Sequence, residues 1–254
     1  MTNNRVRRFW IAAAVVAAVA APLGWSYYAS QQVPTFYEEA LEIEPNDQRV
    51  ASTEMFNNTM ALVQDVRKAG QWQATFTQPQ INGWMAVDLK ENHAELLGDD
   101  ISEPRLSLED GRATLAYRYK SSTISTVVSV VFDVYLAKDN VVAVRIERVR
   151  AGDLPVPLKN VLDAIADAAI EAGWWIEWRQ QSGDPVALVH VPEMRDESDS
   201  NKRLHLENIE IRAGSVSLAG RTEVTDARQW TDHRGQKLRL RVADHSGVKA
   251  TRKR

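Results

Sequence analysis

The run Ile124-Ser125-Thr126-Val127-Val128-Ser129-Val130-Val131-Phe132-Asp133-Val134-Tyr135-Leu136 alternates without a break. Ile124, Thr126, Val128, Val130, Phe132, Val134 and Leu136 recur at period two, while Ser125, Val127, Ser129, Val131, Asp133 and Tyr135 make a mixed opposite set. Successive side chains of a strand point to opposite sides, so this pattern predicts one long β-strand with a strongly apolar face. Lys138-Asp139-Asn140 then turns the chain into a second long strand over Val141 to Val149. Both exceed the usual five or six residues, which predicts an extended, twisted, antiparallel sheet.

Upstream, Arg105 to Leu108 and Arg112 to Lys120 flank Glu109-Asp110-Gly111. That is a hairpin signature, because Asp-Gly accepts positive φ. Earlier still, Asn46 or Asp47 can cap a helix running to about Ala69, in which Phe56, Met60 and Val63 share an apolar face and Gly70 is the stop. Gln71 to Phe76 reads as a short strand. Thr77 and Gln80 stand in capping-box spacing with Pro79 in the first turn, which starts a second helix over about Gln78 to His93. Asn82, one turn into that helix, either bonds neighbouring backbone or lines a site.

Downstream, Gly152 is placed for a positive φ or a close backbone approach as the second long strand ends. Pro155 and Pro157 then fix the way into a third helix, whose stripe is Leu158, Val161, Leu162, Ile165, Ala169 and Ala172, closed by Gly173. Strands follow near Trp174 to Arg179, Val186 to Val191, Arg203 to Arg212 and Ser215 to Thr225, with Ala213-Gly214 as a tight turn. They read as a continuation of one meandering sheet. The fold class is therefore α+β: a long, twisted antiparallel sheet packed by two or three helices.

The N-terminus gives an address. Phe9 to Ala29 supplies 21 nearly charge-free residues, and a hydrocarbon core of roughly 30 Å needs about 20 at about 1.5 Å each. Trp10 at one end and Trp25, Tyr27 and Tyr28 at the other suit the two interfaces. Arg5, Arg7 and Arg8 precede the run and no Lys or Arg follows until Arg49, so the positive-inside rule puts the N-terminus in the cytoplasm. Ala18-Val19-Ala20 resembles a signal-peptidase site, but the apolar run and its aromatic belt continue past it, which favours an uncleaved anchor. The expected layout is a cytoplasmic basic tail (1–8), a single-pass transmembrane helix (9–29), a stalk (30–45), an extracytoplasmic domain (46–225) and a polar tail, partly disordered (226–254). The localisation that follows is the cell membrane, with the bulk of the chain extracytoplasmic and the bilayer as its first partner through residues 9–29.

Composition narrows the chemistry. The net charge of −3 includes the three leading arginines, so residues 9–254 carry −6, which disfavours a nucleic-acid partner. The absence of cysteine removes thiolate chemistry and Cys-based metal sites, and an exported domain must then be held by packing alone. None of His93, His190, His205, His233 and His245 stands in a ligand spacing, and no nucleophile elbow or phosphate-cradling glycine loop occurs. His190 and His205 read as sheet residues, and Asp99 with Asp100 or Glu207 with Glu210 as solvated acids. The sequence offers no catalytic residue, no metal site and no cofactor.

Two segments resemble a known family. Phe76-Thr77-Gln78-Pro79-Gln80-Ile81-Asn82-Gly83-Trp84-Met85 and Val149-Arg150-Ala151-Gly152-Asp153-Leu154-Pro155-Val156-Pro157-Leu158 are similar to segments of the YpmS-like membrane-anchored bacterial proteins, the second to their Gly-x-Leu-Pro-x-Pro motif. The resemblance implies an anchor, a helix, long strands, a proline-bracketed helix and closing strands over residues 5–225, and it implies fold rather than function. The Trp174-Trp175-Ile176-Glu177-Trp178 segment and the tail after Asp226 depart from the family pattern.

Asn82, Gly152, Pro155 and Pro157 are accordingly read as architectural. Trp174, Ile176 and Trp178 share one strand face and Trp175 and Glu177 the other. Core packing against the third helix is one reading of the tryptophans. The other is a ligand groove lined by Trp174, Trp178, Val128, Val130 and Phe132, taking a lipid or another hydrophobic ligand. The competing function class is a non-enzymatic envelope scaffold with a filled core and a protein partner. Protease added to intact spheroplasts is expected to digest residues 30–254 and spare the N-terminus; protection of the whole chain would overturn the topology.

Overall fold

The computed structural model describes Trp25 and residues 27–171, 176–191 and 202–224. Its elements begin with helices α1 (Thr35–Leu41) and α2 (Pro45–Val66), strand β1 (Gly70–Thr77) and helices α3 (Gln78–Ala86) and α4 (Asp88–Asn92). Strands β2 (Ile101–Glu109), β3 (Arg112–Lys120), β4 (Ser125–Lys138), β5 (Val141–Ala151) and β6 (Leu154–Pro155) follow, then helix α5 (Leu158–Glu171). Strands β7 (Ile176–Gln181), β8 (Asp184–His190), β9 (Lys202–Arg212) and β10 (Ser215–Val224) close the series. The architecture is α+β with a long antiparallel sheet and a few helices.

β4 is 14 residues long and sits inside a seven-stranded sheet of order β2-β3-β4-β5-β8-β7, with β6 paired on β5. Both its faces are covered. Val128 and Val130 join Ile146 and Val149 on one side, and on the other Val127 packs with Ala116 and Tyr37 of α1. The expected alternation of core and mixed faces is therefore realised as two unequal cores, which buries every residue from Thr126 to Val130.

The β4–β5 ladder contains one irregularity with large effect. Val131 lies opposite Arg148 and Phe132 opposite Ile146, so Glu147 is an extra residue in β5. Strict alternation from Val142, Val144 and Ile146 would carry Arg148 and Arg150 onto the apolar face. The bulge resets the phase, so that Val149 pairs with Val130 and Ala151 with Val128, while Arg148 and Arg150 face the other way beside Val131 and Ser129. Arg145 holds Asp133 through two bonds of 2.7 and 3.3 Å on that polar side, and Arg112 lies 3.2 Å from Glu147.

The strands do not form one sheet. β9 and β10 leave the long sheet and pair with β1 in a three-stranded sheet of order β1-β10-β9. Gly70 meets Thr222 and Thr77 meets Ser215, a pairing across most of the chain that no local pattern encodes. The two sheets are joined at their hairpin tips: Gly111 N donates to Ile211 O at 2.9 Å, Gly214 N to Leu108 O at 2.9 Å, and Ala213 N to the Asp110 carboxylate at 2.9 Å. Asn140, at φ +58 in the β4–β5 turn, spans the same joint by donating to Leu204 O and accepting from Leu206 N.

The helices correct two further expectations. Phe56 and Met60 do not form the inner face of α2, being 60% and 43% exposed. The contact face instead carries Gln48, Ala51 and Ser52, because Gly83 of α3 lies so close that an added Cβ would stand 2.7 Å from Ala51 Cβ and from Gln48 O. Leu62 and Val66 then dock the far end of α2 on Trp72, Leu204 and Leu206. The second helix is not continuous to His93. The Thr77–Gln80 capping box forms as expected, but the backbone breaks at Val87 (φ −111, ψ −72) into α3 and α4.

Residues 30–45 are part of the domain rather than a spacer. Tyr37 is completely buried and donates to Glu103 O at 2.9 Å, and burial, with Glu103 nearby, raises its pKa. Arg105 is 6% exposed, and burial lowers its pKa. A buried, unpaired guanidinium would cost several kcal/mol. Arg105 offsets this by donating to Ala40 O at 3.3 Å in the last turn of α1, where the helix dipole is negative, and to Pro104 O at 2.7 Å. Just upstream, Asp153 N donates to Ala29 O at 2.8 Å and Thr126 Oγ1 to Ser30 O at 2.6 Å.

No helix among the described residues is long and apolar enough to cross a membrane, and residues 9–24 of the expected span lie outside them. Glu193 to Asn201 of the segment Glu193 to Arg203, which reads as a polar loop, and the tail from Asp226 lie outside them too, while Lys202 and Arg203 open β9. Val130→Asp would force a carboxylate into the main core and is expected to lower the melting temperature by on the order of 10 °C. Unchanged thermal unfolding by circular dichroism would show that this face is not the inner one.

Candidate functional site

The apolar face of the seven-stranded sheet is assembled by register. Tyr117 lies opposite Val128 and Tyr119 opposite Thr126; on the other flank Val149 pairs with Val130 and Ile146 with Phe132. Trp178 on β7 reaches the same face through β8, where its partner is Ala187. These side chains form one cluster, against which Leu158, Val161, Leu162 and Ile165 of α5 pack. The helix stripe read from the sequence is therefore the one in use; the side chains of Ala169 and Ala172 lie outside the described residues.

Of the five residues expected to line a groove, Val128, Val130, Phe132 and Trp178 come together here, and Trp174 lies outside the described residues. Val128 and Val130 are buried, at 9% and 8% exposure. Phe132, Trp178, both tyrosines and the four α5 residues are only half-buried. The sequence reading missed Tyr117, Tyr119, Ile146 and Val149. The break in apolar spacing between Ile146 and Val149 is the signal that would have placed the last two. Burial raises the pKa of Tyr117, and Tyr119 beside it adds to the effect, so Tyr117 stays a neutral phenol at ordinary pH.

The residues read as architectural all bear on backbone. Asn82 is 4% exposed; its amide donates to Leu106 O at 2.9 Å and accepts from Leu106 N at 2.7 Å. β2 is the edge strand of the long sheet, so Asn82, with Gln78 accepting from Leu108 N at 2.7 Å, satisfies groups that would otherwise face outward unpaired. Gly152 has φ +58, and an added Cβ would fall 2.3 Å from Ala29 O. Both a left-handed conformation and a close approach thus require glycine there. Pro155 pairs with Arg150 in β6, and Pro157 immediately precedes α5.

Of the weighed chemical candidates, His190, His205, Glu207 and Glu210 are ordinary members of strands. His190 sits on β8 opposite Val141, and His205 on β9 opposite Arg221. Glu207 is ion-paired with Arg221 at 2.9 Å and Glu210 with Arg212 at 2.9 Å. Among the described residues no group of three His, Asp or Glu side chains is placed to hold a metal ion. Comparison with family models, curated proteins and solved structures finds no match.

Asn82→Ala would leave both Leu106 groups unsatisfied, at about 1–3 kcal/mol for each. The expected result is a clear drop in the urea midpoint. Normal stability and abundance together with loss of a cellular phenotype would instead make Asn82 a functional residue.

Proposed function

We propose that the chain is a single-pass, N-terminally anchored protein of the cell membrane whose extracytoplasmic domain binds a lipid or another hydrophobic ligand without catalysing a reaction. The binding place is the interface between the apolar face of the long sheet and α5. One observation carries this reading: among the described residues the cluster around Val128, Val130, Ile146 and Val149 is covered by one helix, α5, and the facing side chains of both layers stay half-buried. Apolar surface left in water costs roughly 25 cal/mol per Å², so an acyl chain seated between helix and sheet would gain what the protein's own packing leaves unused. Tyr117, Tyr119 and Trp178 add rings that suit the boundary between an apolar chain and a polar head.

A second reading, an envelope scaffold that binds a protein, draws on a different surface. Phe56 and Met60 stand one turn apart on the outer side of α2, exposed and without an apolar neighbour across from them in any described core cluster. Native mass spectrometry of the protein, extracted gently from its own membranes, separates the two readings. Copurifying lipid, lost when Val161 and Ile165 are both changed to Asn, is the expected result. Reproducible absence of lipid, with no uptake of a fluorescent acyl probe, would leave the scaffold as the better account.

A further inference from the structure

The opposite, polar side of the long sheet holds a cleft of about 360 Å³. Thr114 of β3, Ser129 of β4, and Arg148 and Arg150 of β5 line it, with Arg112 beside them; Val33, Pro34 and Phe36, from the segment that leads into α1, close it. The β5 bulge is what brings Arg148 and Arg150 to this side, in ranks with Val131 and Ser129.

Its polar groups are unevenly matched. Arg112 is engaged with Glu147 at 3.2 Å, and Arg150 lies 4.0 Å from Asp153, the outer limit of an ion pair. Arg148 is exposed and has no ion-pair partner among the described residues. Ser129 is 7% exposed, and neither it nor Thr114 makes a side-chain hydrogen bond among the described residues. Asp153 and Glu109 also line the cleft and Glu147 holds Arg112, so three carboxylates stand beside the three guanidinium groups, of which Arg148 is the one without an ion-pair partner among the described residues. The Ser129 and Thr114 hydroxyls are left free to donate, and the Arg148 guanidinium beside them offers a fork of donors. Arg148 and the two hydroxyls together suit one kind of group, a multivalent oxyanion.

We propose that this cleft binds the phosphate of a phosphate-bearing ligand, with Arg148 as the principal charge and Ser129 and Thr114 as hydroxyl donors. Phosphate suits the arrangement because its oxygens accept from several directions, which matches guanidinium and hydroxyl donors on neighbouring strands. The volume leaves room for more than the phosphate itself. A lipid headgroup and a soluble phosphate ester carry the same group and are both sources of it. The site lies across the sheet from the proposed acyl-binding face, so either can fail without the other.

The full chain, purified in an uncharged detergent, would be titrated calorimetrically with inorganic phosphate, with glycerol 1-phosphate and with micelles carrying phosphatidylglycerol. Saturable binding is expected, weakened about tenfold or more by Arg148→Glu and several-fold by Ser129→Ala, while Lys90→Glu on α4 leaves it unchanged. Arg148→Ala serves in place of the reversal should that variant melt early. Saturable binding of the soluble phosphates alone identifies a soluble ligand, and binding of the lipid micelles identifies a headgroup; both uphold the site. No saturable binding of any probe, or binding indifferent to Arg148 in a variant with normal melting, overturns it.

Discussion

The extra residue at Glu147 keeps the β4–β5 ladder from placing Arg148 and Arg150 on the same side as Val128 and Val130. Two guanidinium groups pressed into that core would cost several kcal/mol each, whereas a bulge forgoes a ladder hydrogen bond or two at about 1 kcal/mol each. The bulge is the smaller cost by a wide margin. Because of it, one continuous pair of strands carries an apolar surface for α5 on one side and the arginine-lined cleft beside the leader of α1 on the other.

Much of this was legible in the sequence, and the reasons are local. Alternation over Ile124 to Leu136, the Asp110-Gly111 turn, the Thr77–Gln80 box and the Leu158 to Ile165 stripe are patterns written within a few residues of where they act. What was not legible depends on partners far along the chain. The union of β1 with β10, and hence the division into two sheets, has no local mark. Neither has the inward face of α2, because its contact with α3 depends on a missing side chain at Gly83 rather than on large apolar residues.

The candidate sites divide in the same way. Val128, Val130, Phe132 and Trp178 could be grouped from period and proximity to a helix, and they do share a cluster. Tyr117 and Tyr119 required the β3–β4 register. The cationic cleft required the bulge, whose trace in the sequence is a phase slip of one residue between Ile146 and Val149. Segment 30–45 looked like a spacer because it is polar and contains prolines; its attachment rests on one buried tyrosine and on an arginine that meets carbonyl groups, and neither has a sequence signature.

That attachment changes how the domain would be carried. The chain between Ala29 and α1 is fastened to the turn at Gly152 and to the start of β4, not slack. Between Ala29 and the sheet the described segment therefore has no slack. Among the described residues, the bonds at Ala29 and Ser30 are the first through which a pull from the N-terminal side would pass into the ends of β4 and β5. Position and tension are thus coupled to the two strands that bear both surfaces, and the cleft, closed by Val33, Pro34 and Phe36, opens only when a pull goes on past those first bonds into the segment that leads to α1.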